Sequence, residues 1–178
     1  MKKVRKPTEA TEELRKLLPF CVQACQRICG KNLLGLLLFG SVARGNARFD
    51  SDLDLLVIAE RLAPRRKERF AAFRGEAVRP LEEAREALFA RGYPAEISWV
   101  FRSPEELREG APFFLDLPEE GEILWEREGF VSEFLRRIRR MRQREGARKL
   151  SWAGEEFWDF RGPGGKRGLA SFALYDTE

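Results

Sequence analysis

Histidine is absent from all 178 residues of the chain. That excludes Ser-His-Asp and Cys-His nucleophile systems, histidine-bound metals and a histidine general base. Acid–base and metal chemistry must therefore fall to carboxylates. Cysteine is scarce, with Cys21, Cys25 and Cys29 the only three. Recurring every fourth residue, they stack on one face of a helix. Zinc or an iron–sulfur cluster needs a fourth ligand and no further cysteine exists, so the three read as small core residues. No apolar run approaches the roughly 20 residues that span a bilayer. The basic start, Met1-Lys2-Lys3, is not followed by the apolar segment of a secretory signal. The expected location is the cytoplasm, without a membrane partner. Asparagine occurs twice, at Asn32 and Asn46, and no repeat or low-complexity segment is present.

What is plentiful is charge. Asp, Glu, Lys and Arg make up 35% of the chain, mostly as Arg and Glu, for a net +4. Such a balance resembles heat-adapted proteins that use ion-pair networks. An apolar fraction of 43% and this length suit one domain with a sizeable core.

The apolar run Leu33 to Phe39 lies between Gly30 and Gly40-Ser41 and reads as a buried strand. Gly40 allows a tight turn and close approach to a bulky anion. Val42, Ala43 and Arg44 then start a short helix whose first amide groups face that anion. Ser41 offers a hydroxyl and Arg44 a planar fork for phosphate oxygens.

Ser51-Asp52-Leu53-Asp54 opens a second apolar run, to Ala59. Residues two apart on a strand share a face, so both carboxylates project together, roughly 6.5–7 Å apart along the backbone. Bare, they repel by on the order of a few kcal/mol at an effective dielectric of about 20. A cation removes that cost, and carboxylates suit Mg²⁺, which takes one or two of them plus substrate phosphates. Two such ions about 3.5–4 Å apart clamp both oxygens of an in-line displacement. The third strand is expected over 95–101. Its only acid, Glu96, is the candidate third metal ligand and general base.

Gly-Ser-x-x-Arg-Gly followed by Ser-Asp-x-Asp-Leu resembles the signature of the DNA polymerase β-type nucleotidyltransferase superfamily. More narrowly, it resembles the minimal nucleotidyltransferases that act as antitoxin partners of HEPN-domain proteins. The resemblance implies an α+β palm, a mixed sheet flanked by helices, here with a C-terminal helical and aromatic extension. It further implies that Gly40, Ser41, Arg44 and Ser51 bind the nucleotide, ATP first, and that Asp52, Asp54 and Glu96 bind magnesium and carry catalysis. A third acid in that family is more commonly Asp, so Glu96 departs from the pattern. The implied partner is a HEPN-type protein; self-association and RNA stay open, the latter without a recognisable RNA-binding module.

Around this centre, residues 1–32 form an N-terminal helical segment, kinked or divided at Pro19. Residues 33–126 are the expected catalytic core and 127–178 the extension. Helical periodicity runs from Pro64 to Arg91, broken near Gly75–Pro80, and Ser103-Pro104-Glu105-Glu106 opens a short helix. A helix near 130–144 carries an apolar stripe of Phe130, Phe134, Ile138 and Met141. Its other face concentrates Arg136, Arg137, Arg139, Arg140, Arg142 and Arg144, followed by Arg148 and Lys149. That face reads either as solvated charge or as a contact for an acidic protein or RNA. Trp152, Phe157, Trp158 and Phe160 fold back on the core or anchor a partner. The Gly-rich run at 162–168 fails the Walker pattern, because Phe160 and Arg167 occupy required positions.

Three functions follow. The first is Mg²⁺-dependent transfer of a nucleoside monophosphate to an acceptor hydroxyl, on a partner protein. The second is a non-catalytic antitoxin or nucleotide-binding subunit that acts by docking. The third is modification of a small molecule such as an antibiotic, for which the chain after Phe101 leaves limited room.

Overall fold

The computed structural model describes residues 7–152 and 155–160. Its centre is a four-stranded mixed sheet in the order β3-β2-β1-β4. The strands are β1 (Leu33–Phe39), β2 (Leu53–Ala59), β3 (Ile97–Arg102) and β4 (Glu122–Glu126). β1 runs antiparallel to β2 and β4, and β2 runs parallel to β3. This is the mixed sheet flanked by helices that the motif implied.

β1 and β2 are almost continuously buried, with Asp54 a half-buried interruption. The reason is a helical layer on each face, which turns a central strand into an apolar run rather than an alternating one. One layer contains α1 (Glu9–Arg15), α2 (Leu18–Cys29) and α5 (Arg79–Phe89), packed on Leu36, Leu38, Leu55 and Val57. α4 (Arg66–Ala72) adds Phe70, whose ring meets Phe101 edge-on at 5.3 Å. The other layer contains α6 (Pro104–Arg108), α7 (Leu117–Glu120) and α8 (Phe130–Arg144), packed on Leu34, Leu37, Leu56 and Ile58.

Pro19 divides the N-terminal helix, sitting in the first turn of α2, where a missing N–H costs nothing. Ser103 and Glu106 form a reciprocal capping box at α6. Cys21 and Cys25 are buried and Cys29 is half-buried. Burial pushes the Cys21 thiol up to about 12 and raises the other two as well. They are packing residues, as their spacing suggested.

Much of the arginine on α8 is spent inside the molecule. Arg142 makes a forked pair with Glu119 at 2.6 and 2.5 Å, Arg139 donates to the Pro118 carbonyl, and Arg136 and Arg137 hold Glu133. The aromatic segment supplies an antiparallel hairpin of β5 (Arg148–Trp152) and β6 (Glu155–Asp159). Trp158 packs under the Arg142 guanidinium, 4.5 Å from its ring centre, whereas Trp152 is 77% exposed. Trp158 thus folds back on the helical layer, while Trp152 stays at the surface. The Gly-rich run at 162–168 lies outside the described residues. No helix among the described residues is long and apolar enough to cross a membrane.

Candidate active site

Antiparallel pairing brings the last residue of β1 beside the start of β2: Phe39 is the register partner of Asp54. The chain between them must leave the sheet and return. It does so through the one-turn helix α3 (Gly40–Ala43) and a loop to Ser51. That loop is fastened from the N-terminal side. Thr8 donates its hydroxyl to the Ala47 carbonyl at 2.7 Å, the Ala47 amide donates to the Thr11 hydroxyl at 3.1 Å, and the Thr8 amide donates to the Gly45 carbonyl at 3.1 Å. Ser51 closes the loop by accepting from the Arg48 amide at 2.8 Å.

Gly40 has φ of +73°, and a methyl group added there would lie 2.1 Å from Asp54 Oδ2. The Gly-Ser turn is therefore pressed against the carboxylate, with no room for a side chain between them. Asp52 is exposed and Asp54 half-buried. Burial, then the charge of Asp52, raises the Asp54 carboxyl above its usual range, while a hydrogen bond from Ser98 and the nearby Arg44 cation pull it back. The pair thus carries a cost of shared negative charge that is only partly offset, and an oxygen-seeking divalent cation would relieve the rest.

Gly40, Ser41, Arg44, Ser51, Asp52 and Asp54 all occupy this single turn-and-strand unit. Glu96 lies beside them, its carbonyl accepting from the Leu53 amide at 2.8 Å, but its side chain turns elsewhere. β3 begins one residue later, at Ile97, and the residue in register with Asp54 is Ser98. Ala95 adopts a left-handed φ of +52°, and Arg85 on α5 donates to both the Ala95 carbonyl at 2.9 Å and the Glu96 carboxylate at 3.2 Å. Glu96 is drawn into an exposed ion pair instead. Among the described residues no three acidic or cysteine side chains gather closely enough to share a metal ion.

Ser98 is the neighbour that sequence reasoning missed. The signal was there: Glu96 and Ser98 lie two apart, and so share a strand face. Two further partners, Glu120 and Lys149, were invisible. Arg44 donates to Glu120 at 2.8 Å, and Lys149 reaches the same carboxylate at 3.1 Å.

A Gly-Ser turn set against paired acids at the joined ends of two antiparallel strands could hold a polyphosphate and a metal ion. The sequence comparisons agree with that class. The profile of the nucleotidyltransferase domain matches residues 21–145, and the chain belongs to this family. It is 31% identical over 128 residues to a Methanocaldococcus jannaschii protein provisionally named a protein adenylyltransferase, covering 71% of this chain and 81% of that one. Among solved structures, it resembles a toxin–antitoxin crystallised with AMP-PNP (19% identity, 71% and 87% coverage, TM-score 0.48). It also resembles a chain from a tri-AMPylated HEPN toxin of Shewanella oneidensis in complex with an MNT antitoxin (16% identity, 74% and 87% coverage, TM-score 0.46).

Proposed function

We propose that this nucleotidyltransferase transfers adenylate from ATP to a hydroxyl group of a partner protein of the HEPN type. The observation that carries the reading is the contact between Gly40 and Asp54, which puts the turn suited to polyphosphate directly against the acidic pair. The protein acceptor is supported by the motif's resemblance to minimal nucleotidyltransferases and by the name of the archaeal relative.

Asp52 and Asp54 are the carboxylates that would hold magnesium, since two hard oxygen donors and the substrate phosphates make up its customary shell. When bound, the metal supplies Lewis-acid stabilisation of the phosphoryl oxygens. The chain's own residues then do the rest. Gly40 and Ser41 present backbone amides that a first helical turn leaves without an acceptor inside the helix. Arg44 neutralises phosphate charge through its planar fork. Ser98, the register partner of Asp54, favours its charged form. In the transfer the acceptor oxygen bonds to the α-phosphorus, the bond from that phosphorus to the bridging oxygen breaks, and pyrophosphate departs. The acceptor's hydrogen leaves as a proton to solvent water, and the departing pyrophosphate carries the negative charge.

The test uses ATP labelled at either the α- or the γ-phosphate, with magnesium and a HEPN-type protein as acceptor. The α-label should enter the partner and the γ-label should not. Asp52→Asn with Asp54→Asn should stop incorporation while leaving the fold intact. Entry of the γ-label, or full incorporation by that double variant, refutes the reading.

The displacement of Glu96 onto Arg85 favours a second reading, in which the chain binds nucleotide and neutralises its partner by docking alone. A neutralised partner of unchanged mass after incubation with ATP and magnesium decides for docking.

A further inference from the structure

Arg44 is joined to the far end of the chain through one carboxylate. Glu120, on α7, accepts from Arg44 at one oxygen, Oε2, at 2.8 Å. Its other oxygen, Oε1, takes Lys149 of β5 at 3.1 Å. Lys149 is in turn fixed by Asp116 Oδ1 at 2.9 Å and Glu156 of β6 at 2.8 Å. The Trp158 indole N–H donates to the same Asp116 oxygen at 3.0 Å. Glu120 and Lys149 keep 20% and 30% of their side-chain surface, so the bridge is more sheltered than an ordinary surface pair.

The sharing is divided in a telling way. Arg44 spends one terminal nitrogen on Glu120, and its charge also reaches Asp54. A guanidinium has five N–H donors in a rigid fork, so one anchored nitrogen fixes the plane and leaves the others for phosphate oxygens. An unanchored arginine must surrender its side-chain freedom when the nucleotide arrives. Anchoring it beforehand removes that cost.

We infer that Glu120 is a positioning residue for Arg44 in nucleotide binding, and that Lys149 of the C-terminal hairpin holds Glu120 in place. The hairpin is thereby coupled to the nucleotide site, although 76 positions separate Arg44 from Glu120 and a further 29 separate Glu120 from Lys149. The inference rests on the reading of Arg44 as a phosphate ligand.

The experiment measures the dissociation constant of the intact chain for AMP-PNP with magnesium, alongside the melting temperature. Glu120→Ala should weaken binding by about two- to fivefold, the span of a partly exposed ion pair. Glu120→Gln, whose amide oxygen still accepts from Arg44, should recover part of that loss. In an Arg44→Ala background, Glu120→Ala should change nothing further. Lys149→Met should weaken binding in the same direction, and its effect should vanish once Glu120 is gone. Tighter binding by Glu120→Ala would mean that Glu120 competes with phosphate for Arg44, and would overturn the inference. So would an equal effect with Arg44 absent, or a silent Lys149→Met. If Arg44→Ala is itself silent, the assignment of Arg44 to the nucleotide falls first and the inference goes with it. Should Glu120→Ala fail to fold, Lys149→Met alone and in the Arg44→Ala background decides the matter.

Discussion

Gly40→Ala is the sharpest probe of the site, because one methyl group tests both the turn and the acid pair. The added carbon would sit 2.1 Å from Asp54 Oδ2, 3.0 Å from its Cγ and 3.3 Å from its Cβ, where ordinary contact begins at 3.4 Å. Asp54 or the turn must therefore retreat by about 1.3 Å to restore that separation. Displacement of a reacting group by about 1 Å can cost roughly 10²-fold in rate. The left-handed backbone adds strain of about 1–2 kcal/mol for a residue with a side chain, or roughly 2–8 °C in Tm for a chain of this size. Gly129→Ala separates the two effects. Gly129 has φ of +74°, nearly that of Gly40, but a methyl there meets nothing within 4 Å. Both variants should lose the stability that backbone strain costs, Gly40→Ala somewhat more because Asp54 must also move, and only Gly40→Ala should lose α-label transfer and weaken Mn²⁺ binding, measured by the free-ion electron paramagnetic resonance signal. If Gly40→Ala transfers adenylate and binds Mn²⁺ as Gly129→Ala does, the turn is not set against the functional carboxylates and the site is misread.

Glu96→Gln should lower transfer only slightly, because its carboxylate serves Arg85, whereas Asp54→Asn should cost roughly 10²-fold or more, as removal of a charge-stabilising group does; equal losses in single-turnover assays would restore Glu96 to the site. Glu13 lies largely buried between Arg91 at 2.6 Å and Lys16 at 2.7 Å. Hydrogen bonds from Arg91 and Lys16 pull its carboxyl down from 4.5 to about 2. A depressed folded-state value means the stabilisation is full above the unfolded value and is lost as pH falls toward 2. The Tm gap between the native chain and Glu13→Gln should thus be widest above pH 4.5 and close on acidification toward pH 2; a gap that holds constant across that range refutes the assignment.

The strands of the site were legible because β1 and β2 are covered on both faces, leaving apolar runs over Leu33–Phe39 and Leu53–Ala59 that only Asp54 interrupts. Pro19 and the capping box at Ser103 were equally readable, being local rules about backbone donors. The start of β3 was placed two residues early, because Ala95 and Glu96 look like strand until Arg85 claims both. The hairpin of β5 and β6 was not foreseen, and its aromatics divide between a buried and an exposed side according to which face meets α7 and α8.

By itself, then, the sequence determined which residues form the candidate site, since Gly40, Ser41, Arg44, Asp52 and Asp54 lie within one hairpin and short-range geometry brings them together. Only the tertiary structure decided which other groups reach them. Ser98 stands beside Asp54 through strand register, Glu96 is drawn away by a helix, and Glu120 joins Arg44 to Lys149. Those outcomes depend on side-chain contacts between elements distant in the chain, where each ion pair is chosen among many arginines and glutamates of nearly equal local merit.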